Sequence, residues 1–370
     1  MLTPVAVELI GMIATQNASE VLPPQGPPID PDFTARFAQA HEASGFDRIL
    51  IGYGSHWPDG WQVANHVVRA TERIKILLAH RPGFVSPPLT ARQAVTFEHL
   101  TGGGRLALHI ITGGDEADQR REGDFVDHDA RYRRTAEYLR ILRHLWSSTE
   151  PLDVDGEFYR LRGAVLPFRP PRPEGIPLYF GGASEAAIDV GAQYADVYML
   201  WGEPLAAARE RLERTRAAAT RCGRHLRFSV SVRPILADTE AAAWARAETI
   251  AEQALAQRQR FLGARGRRED SSVGSARLRA AAAEADVHDT RLWTKVAAIT
   301  GAAGNSTALV GTPEQVADAL LAYVDLGIDA LLIRGFQPYE DAIDYGRELI
   351  PRLRAALASR PTNELAAAGG

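Results

Sequence analysis

The sequence is poor in sulfur, because its 370 residues include one cysteine, Cys222, and three methionines. A single cysteine excludes an intramolecular disulfide and a zinc site built from cysteine thiolates. No apolar run approaches the roughly 18–20 residues that a membrane-spanning helix needs. The first apolar segment carries Glu8 and has no basic flank, unlike a signal peptide. We therefore expect a cytoplasmic protein that does not enter a membrane.

The sequence also has no large excess of charge of either sign. Its 42 basic and 46 acidic residues give a formal net charge of −4. This balance argues against a general electrostatic interaction with nucleic acid, so we expect no nucleic-acid partner. A small-molecule substrate is the partner that remains.

Several catalytic motifs are missing as well. The chain has no Walker loop, no Gly-x-Ser-x-Gly elbow and no His-Glu-x-x-His pair. The ten histidines are scattered, and no two of them stand at metal-ligand spacing on a predicted helix. The sequence therefore predicts neither a hydrolase triad nor a metal site.

Short apolar runs alternate with helical patterns along the chain, as in parallel α/β proteins. Consecutive apolar positions within these runs indicate strands that helices cover on both faces. The eight strand candidates are Val5–Met12, Arg48–Gly52, Ile74–His80, Leu106–Ile111, Leu178–Gly181, Val197–Trp201, Phe228–Leu236 and Ala330–Arg334. Eight strands with about eight helices favour a (β/α)8 TIM barrel, and an open doubly wound sheet is the alternative.

Two segments interrupt this alternation within one predicted domain, residues 1–360. Asp115–Asp129 is charged and without periodicity, and Gly263–Ser306 is long and rich in Arg, Ala, Gly and Ser. Segments of this length in a barrel are typically lids or disordered insertions. Leu152–Leu161 is predicted to form a hairpin, and residues 361–370 a flexible tail.

The predicted strand ends carry small and polar residues. Gly181-Gly182-Ala183-Ser184 joins a strand to a helix, where exposed backbone amides and a serine could bind a phosphate. An ordinary capped turn between strand and helix is the alternative. Thr112 follows the fourth strand, where its hydroxyl could contact a ligand or bond to local backbone.

Several motifs along the chain follow one order. They are Arg81-Pro82-Gly83, Gly103-Gly104-Arg105-Leu106, Thr112-Gly113-Gly114-Asp115, Asp127-His128-x-x-Arg131-Tyr132, Pro177 to Ala187, Trp201-Gly202-Glu203-Pro204 and Thr307-Ala308-Leu309-Val310-Gly311. Because its motifs occur in the same order, the sequence resembles the alkanesulfonate monooxygenases, which are bacterial luciferase-like flavin monooxygenases. The resemblance extends from about residue 5 to residue 355.

The resemblance implies a TIM barrel with a mobile insertion late in the chain. It implies reduced FMN as the cofactor, delivered by a separate NAD(P)H-dependent flavin reductase, and O2 as the second substrate. An organosulfonate would be oxidised with release of sulfite. A homodimer or homotetramer is also implied.

The same resemblance implies which residues bind the flavin. The phosphate would lie near Tyr132 and Ser184, with Gly182 and Ala183 in the same turn, and the ring near His109 and Thr112. Hydroxyls, a phenol and backbone amides suit a phosphate dianion.

The substrate side departs from the pattern of the alkanesulfonate monooxygenases. Ser231-Val232-Arg233 stands in place of an Arg-x-His pair, Phe336 in place of a tyrosine, Pro338 in place of a histidine and Trp57 in place of a cysteine. The flavin half of the site is therefore expected to be retained and the substrate half altered.

Three arginines are candidates for binding an anionic substrate. Arg233 would lie at a strand end that faces the flavin, and Arg334 and Arg81 are further candidates. Pairing of Arg233 with a carboxylate such as Glu203 is the alternative.

Aromatic residues and histidines complete the candidate site. Trp201 and Trp57 could form an apolar wall that excludes water, or Trp201 could simply be part of the core. His80 and His56 could act as a general acid or base, and each could instead be a structural histidine.

These residues lead to one function and two alternatives. We expect a two-component monooxygenase that uses reduced FMN to oxidise a small organosulfur, sulfonate-like substrate. A deazaflavin-dependent oxidoreductase with the same type of barrel is one alternative. A flavin-binding relative with altered or lost turnover is the other.

Overall fold

The computed structural model describes residues 7–265, 272–302, 304 and 306–360. The predicted tail, residues 361–370, lies outside this part of the chain, as do residues 1–6.

The described residues contain strands and helices in alternation. The strands are β1 (Glu8–Ile13), β2 (Arg48–Ile51), β3 (Lys75–His80), β4 (Leu106–Ile110), β5 (Leu152–Asp155), β6 (Arg160–Ala164), β7 (Leu178–Gly181), β8 (Val197–Trp201), β9 (Arg227–Leu236), β10 (Val287–His288), β11 (Leu292–Trp293), β12 (Ala308–Gly311) and β13 (Ala330–Ile333). The helices are α1 (Pro31–Ala43), α2 (Gly60–Ala70), α3 (Pro87–Leu100), α4 (Glu116–Arg121), α5 (His128–Ser147), α6 (Glu185–Tyr194), α7 (Leu205–Arg221), α8 (Glu240–Arg265), α9 (Val273–Glu284), α10 (Lys295–Thr300), α11 (Pro313–Asp325), α12 (Pro338–Asp344) and α13 (Ile350–Ala358). A π-helical turn, Tyr345–Leu349, connects the last two helices.

Eight of the strands close into a parallel barrel. Their order is β1-β2-β3-β4-β7-β8-β9-β13, and β13 pairs with β1 to close the circle. The helices between the strands cover the outside. This is the (β/α)8 TIM barrel that the sequence predicts, built from the eight predicted strands, so the fold prediction is confirmed.

Strand β9 is longer than its barrel neighbours. Its first half pairs with β8 and β13, whereas Arg233–Leu236 pairs with β12. Strands β11 and β10 add to β12 in antiparallel fashion. The carboxyl end of β9 is therefore the base of a small sheet that rises above the barrel.

The side chains inside the barrel form a core of their own. Ile10, Leu77, Ala107, Tyr179 and Met199 belong to this inner cluster. Their neighbours in sequence face the helices and belong to the larger outer cluster. Because strand side chains alternate between two faces, residues two positions further along each strand also point into the barrel.

At the amino-terminal face of the barrel, the side chain of Glu98 binds backbone amides. Glu98 at the end of α3 is 1% exposed, and its carboxylate accepts bonds from the amides of Gly104 and Leu106. Gly102, Gly103 and Gly104 adopt φ values of 79°, 85° and 81°, which favour glycine. This turn precedes β4, and active sites of such barrels lie at the opposite face.

The two predicted insertions contain regular structure. Helix α4 lies in the first, and Arg81 binds it through Asp118 (2.8 Å) and Glu122 (3.1 Å). The described part of the second contains α9, β10, β11 and α10. Their function as lids stays a prediction. The predicted hairpin forms from β5 and β6.

No helix in the described part of the chain is long and apolar enough to span a membrane.

Candidate active site

The carboxyl end of β7 leads directly into α6. Ser184 is the N-cap of this helix, and its hydroxyl accepts a bond from the amide of Ala187 (3.2 Å). A Cβ atom on Gly182 would lie 2.4 Å from the Cβ of Ala187, so this turn leaves no room for a side chain. The exposed amides at the helix N-terminus favour an anion.

Tyr132 on α5 reaches the same turn. Its side chain is 8% exposed, and its phenol lies next to the hydroxyl of Ser184, which acts to lower the pKa of the phenol. The phenolic oxygen lies 3.3 Å from the position that a Cβ on Gly182 would occupy. Burial raises the pKa of Tyr132, so the phenol stays protonated and can donate. The structure thus brings Tyr132, Gly182, Ala183 and Ser184 together.

A buried arginine fixes the backbone of the turn. Arg211 on α7 donates to the carbonyl of Gly182 (2.6 Å), as does the hydroxyl of Tyr198 (3.1 Å). The other side of the Arg211 guanidinium binds Glu203 at 2.8 Å. These bonds hold the carbonyl of the turn in place.

His109 points into the barrel beside the turn. It lies two residues after the inward-facing Ala107 on β4, and its Nε2 is 3.3 Å from where a Cβ on Gly181 would be. Its Nδ1 is buried and has no hydrogen-bond partner among the described residues. Burial lowers the pKa of His109 to about 4, so the imidazole is neutral near pH 7. A neutral imidazole with a free ring nitrogen can bond to a heterocycle.

Thr112 follows β4 and lies on the α5 side of the mouth. It is 4% exposed, and its hydroxyl is 3.4 Å from that of Thr135. Its carbonyl accepts a bond from Gln119 (3.0 Å). The side chain is thus close to α5, the helix that also carries Tyr132.

The opposite side of the mouth contains three charged groups. Arg233 is fully buried, and its Nη2 lies 3.0 Å from a carboxylate oxygen of Glu20. Arg334 binds the other oxygen of the same carboxylate at 2.6 Å. Burial raises the pKa of Glu20, but the charges of Arg233 and Arg334 outweigh burial and hold it below its ordinary value.

The chain matches the model of the luciferase-like monooxygenase family over residues 7–330. It belongs to this family.

Solved structures of similar fold include enzymes with two kinds of cofactor. A riboflavin lyase, in a crystal structure with modified FMN and riboflavin, has a TM-score of 0.76 at 18% identity, covering 96% of this chain and 93% of that one. EDTA monooxygenase from Chelativorans sp. BNC1 has a TM-score of 0.76 at 17% identity, covering 96% and 95%. An F420-dependent secondary alcohol dehydrogenase has a TM-score of 0.68 at 16% identity, covering 94% and 99%.

The residues of this turn fit the phosphate ester that the resemblance implies. The turn offers amides, one aliphatic hydroxyl and one phenol, and the buried Nδ1 of His109 lacks a partner in the described residues. Fixed neutral donors of this kind suit a dianion in a partly buried place.

His80 is not brought to the mouth. It points outward from β3, and its Nε2 bonds to the hydroxyl of Tyr138 (2.7 Å), which donates in turn to Thr90 (2.6 Å). Burial lowers the pKa of His80 to about 4. The structure therefore places His80 in the packing between barrel and helices.

Trp201 ends β8 and packs under the second insertion. It packs against a small apolar cluster formed by Leu278 of α9, Ala297 of α10 and Ala302, which follows α10. A Cβ on Gly274 would lie 2.9 Å from the Trp201 ring. In contrast, Trp57 is 54% exposed and lies beside Gly52, and His56 is exposed.

The remaining departures from the alkanesulfonate pattern have structural surroundings of their own. Ser231 is 6% exposed on β9, and Phe336 is 1% exposed with its ring 3.5 Å from the Arg233 guanidinium carbon. Pro338 begins α12. Arg81 is engaged by α4 and stacks on Tyr53.

One residue of the site escaped the sequence reasoning. Glu20, rather than Glu203, is the carboxylate that pairs with Arg233, and Glu203 binds Arg211 and Arg277 instead. Glu20 lies in an irregular segment without a motif, 213 positions before Arg233 in number. No local pattern could have identified this pair. Among the described residues, no three His, Cys, Asp or Glu side chains cluster in a way that could hold a metal ion.

Proposed function

We propose that this chain is the oxygenase of a two-component system that uses reduced FMN and O2 to oxidise a small organosulfur compound. The observation that carries the proposal is the proximity of the Tyr132 phenol to Gly182 and Ser184 at the amide end of α6. In the alkanesulfonate monooxygenases that this sequence resembles, the matching residues lie at the FMN phosphate. Reduced FMN held in this site would supply the two electrons needed to incorporate one oxygen atom of O2 into the substrate and reduce the other to water.

The side chains of this chain then have separate tasks. Tyr132 and Ser184 donate to the phosphate, and the neutral imidazole of His109 is positioned to bond to the ring. Trp201, under α9, covers the β8 side of the mouth and keeps water from the reacting atoms. A separate NAD(P)H-dependent flavin reductase would deliver the cofactor. The homodimer or homotetramer and the cytoplasmic location remain predictions.

The activity is tested with purified protein, a flavin reductase, NADH and a panel of sulfonates, sulfones and thioethers. We expect substrate-dependent formation of an oxygenated product, or of sulfite, above the level with reductase alone. The variant Tyr132→Phe tests the site itself. Its product rate should be lower than that of wild type at limiting FMN and should recover to the wild-type rate at high FMN. Binding of reduced FMN without a product from any compound would favour a flavin-binding relative without turnover.

The F420-dependent neighbour supports one competing function, hydride transfer with a deazaflavin. Titration of reduced FMN and reduced F420 side by side separates the two. Tighter binding of F420 would support the competing function.

A further inference from the structure

Glu20 bridges two arginines at the mouth of the barrel. Its carboxylate lies 3.0 Å from Nη2 of Arg233 and 2.6 Å from Nη2 of Arg334. Arg233 is fully buried, whereas Arg334 and Glu20 are 26% and 30% exposed at their side chains. The buried cation is thus paired with a carboxylate of the same chain.

The neighbours of Glu20 fix it in this position. The hydroxyl of Ser19 donates to the carbonyl of Phe336 (2.5 Å), and the carbonyl of Ser19 accepts a bond from Gln257 on α8 (2.8 Å). Val21 is 8% exposed and packs in the cluster that contains Phe336. Because both neighbours are anchored, the carboxylate is preorganised against the arginines and is costly to displace.

The other sides of Arg233 are covered. The ring of Phe336 lies 3.5 Å from the guanidinium carbon, and Nη2 also donates to the carbonyl of Gly335 (2.9 Å). Nε and Nη1 are shut off from solvent and have no partner among the described residues. Glu20 thus presents a carboxylate oxygen to Nη2 of this otherwise covered guanidinium.

We propose that Glu20 is a specificity-determining residue, an internal counter-ion that takes the place of an anionic head group on Arg233, so that the site selects uncharged organosulfur compounds. This inference rests on the proposed function and narrows its substrate class. An anionic head group beside Arg233 would have to displace an anchored carboxylate or lie against it as a like charge. A sulfone or thioether carries no such charge.

The test uses the full chain without flavin and two probes of similar size, methanesulfonate and dimethyl sulfone. Binding is measured by calorimetry at constant ionic strength in wild type and in Glu20→Gln, which keeps the shape of the side chain. We expect no saturable methanesulfonate binding to wild type. Glu20→Gln should bind methanesulfonate saturably, at least tenfold tighter than the weakest affinity that would have been detected for wild type. Dimethyl sulfone binding should change less than threefold.

Two further variants locate the effect. Glu157→Gln removes a carboxylate from the exposed pair with Arg133 and changes the net charge equally, so it should leave methanesulfonate binding at the wild-type level. The double variant Glu20→Gln/Arg233→Met should lose the gained binding. An equal gain in Glu157→Gln, or no gain in Glu20→Gln, would overturn the proposal.

Wild type alone also tests the proposal, in case a variant does not fold. Saturable methanesulfonate binding to wild type that disappears in Arg233→Lys would contradict it. Because these measurements contain no flavin, their failure leaves the proposed monooxygenase function standing. Failure of reduced FMN to bind would instead remove the proposed function without changing the anion result.

Discussion

Tyr132 and Ser184 are two hydroxyls that meet at the amide end of one helix. A hydrogen bond to a charged group contributes about 1.5–3 kcal/mol. We therefore expect Tyr132→Phe and Ser184→Ala each to weaken binding of reduced FMN by roughly 10- to 100-fold. Anaerobic fluorescence titration measures this change.

The control for this prediction uses a ligand without the phosphate. Reduced riboflavin should bind wild type and both variants with similar affinity, because the lost bonds go to the phosphate. Tyr194→Phe, at the other end of the same helix α6, should leave FMN affinity unchanged. Equal loss of riboflavin and FMN binding would place these residues at the ring instead.

The buried imidazole of His80 makes stability depend on pH. Burial lowers its pKa from 6.5 to about 4 in the folded protein, so the unfolded chain binds more protons between these values. Stability therefore falls as the pH falls through this window, by roughly 2 kcal/mol between pH 7 and pH 5 for one such histidine. We expect His80→Gln to lose less free energy of unfolding than wild type over this interval, measured with urea.

This experiment also separates a structural role of His80 from a catalytic one. His80 bonds to Tyr138 and not to any group at the mouth. His80→Gln should therefore keep the wild-type pH profile of kcat while its stability profile changes. A shifted kcat profile with an unchanged stability profile would point to an acid–base role.

The substrate-side arginines show the limit of sequence reasoning at the residue scale. The sequence predicts Arg233 at a strand end, whereas in the structure β9 continues to Leu236 and Arg233 is where its pairing with β12 begins. Its partner was not predictable, since Glu20 meets it only through the closure of the barrel between β1, β13 and β9. The flavin-side residues were accessible through motifs, whereas long-range ion pairs have none.

At the scale of elements, an ion pair connects α9 to the barrel. Arg277 binds Glu203 at 2.7 Å, and Glu203 is buried at the end of β8. In Arg277→Gln, Glu203 keeps Arg211 as a partner, so the barrel should remain intact while α9 loosens. The Arg277 side chain is 29% exposed, so we expect a loss of only about 1 kcal/mol.

Hydrogen exchange measures this loosening directly. Amides of Val273–Glu284 should exchange roughly fivefold faster in Arg277→Gln, whereas those of α6 should not change. Arg133→Gln, which removes an exposed ion pair elsewhere, serves as the control and should leave α9 protected. Unchanged protection of α9 would show that apolar packing on Trp201 is sufficient to hold it.

The barrel strands were predictable because each is a run of consecutive apolar residues. Helix α2 was not predicted, although Val63, Ala64 and Val67 form its buried face and Asp59 caps it. Helix α9 was also missed, since its buried residues are Ser275, Leu278 and Ala281, two of them small. A helix with the weak pattern of α9 forms because tertiary contacts stabilise it, and those contacts are invisible in one sequence.

At the scale of the whole molecule, the two faces of the barrel have different tasks. Glu98 holds two backbone amides at the amino-terminal face, far from the Tyr132 turn. Glu98→Gln offers one acceptor oxygen in place of two and should lower the free energy of unfolding by about 2 kcal/mol. The affinity for reduced FMN should not change. A weaker affinity in the folded variant would show that the two faces are coupled.

The central claim is that the carboxyl-terminal mouth of this barrel binds reduced FMN through the turn at Gly182–Ser184. Anaerobic titration of wild type with reduced FMN, reduced riboflavin and reduced F420 tests it most directly. We expect saturable binding of FMN to wild type, at least tenfold tighter than the binding of riboflavin and tighter than the binding of F420. In Tyr132→Phe/Ser184→Ala the preference for FMN over riboflavin should be lost. Equal affinity for FMN and riboflavin in wild type, or no saturable FMN binding, would contradict it.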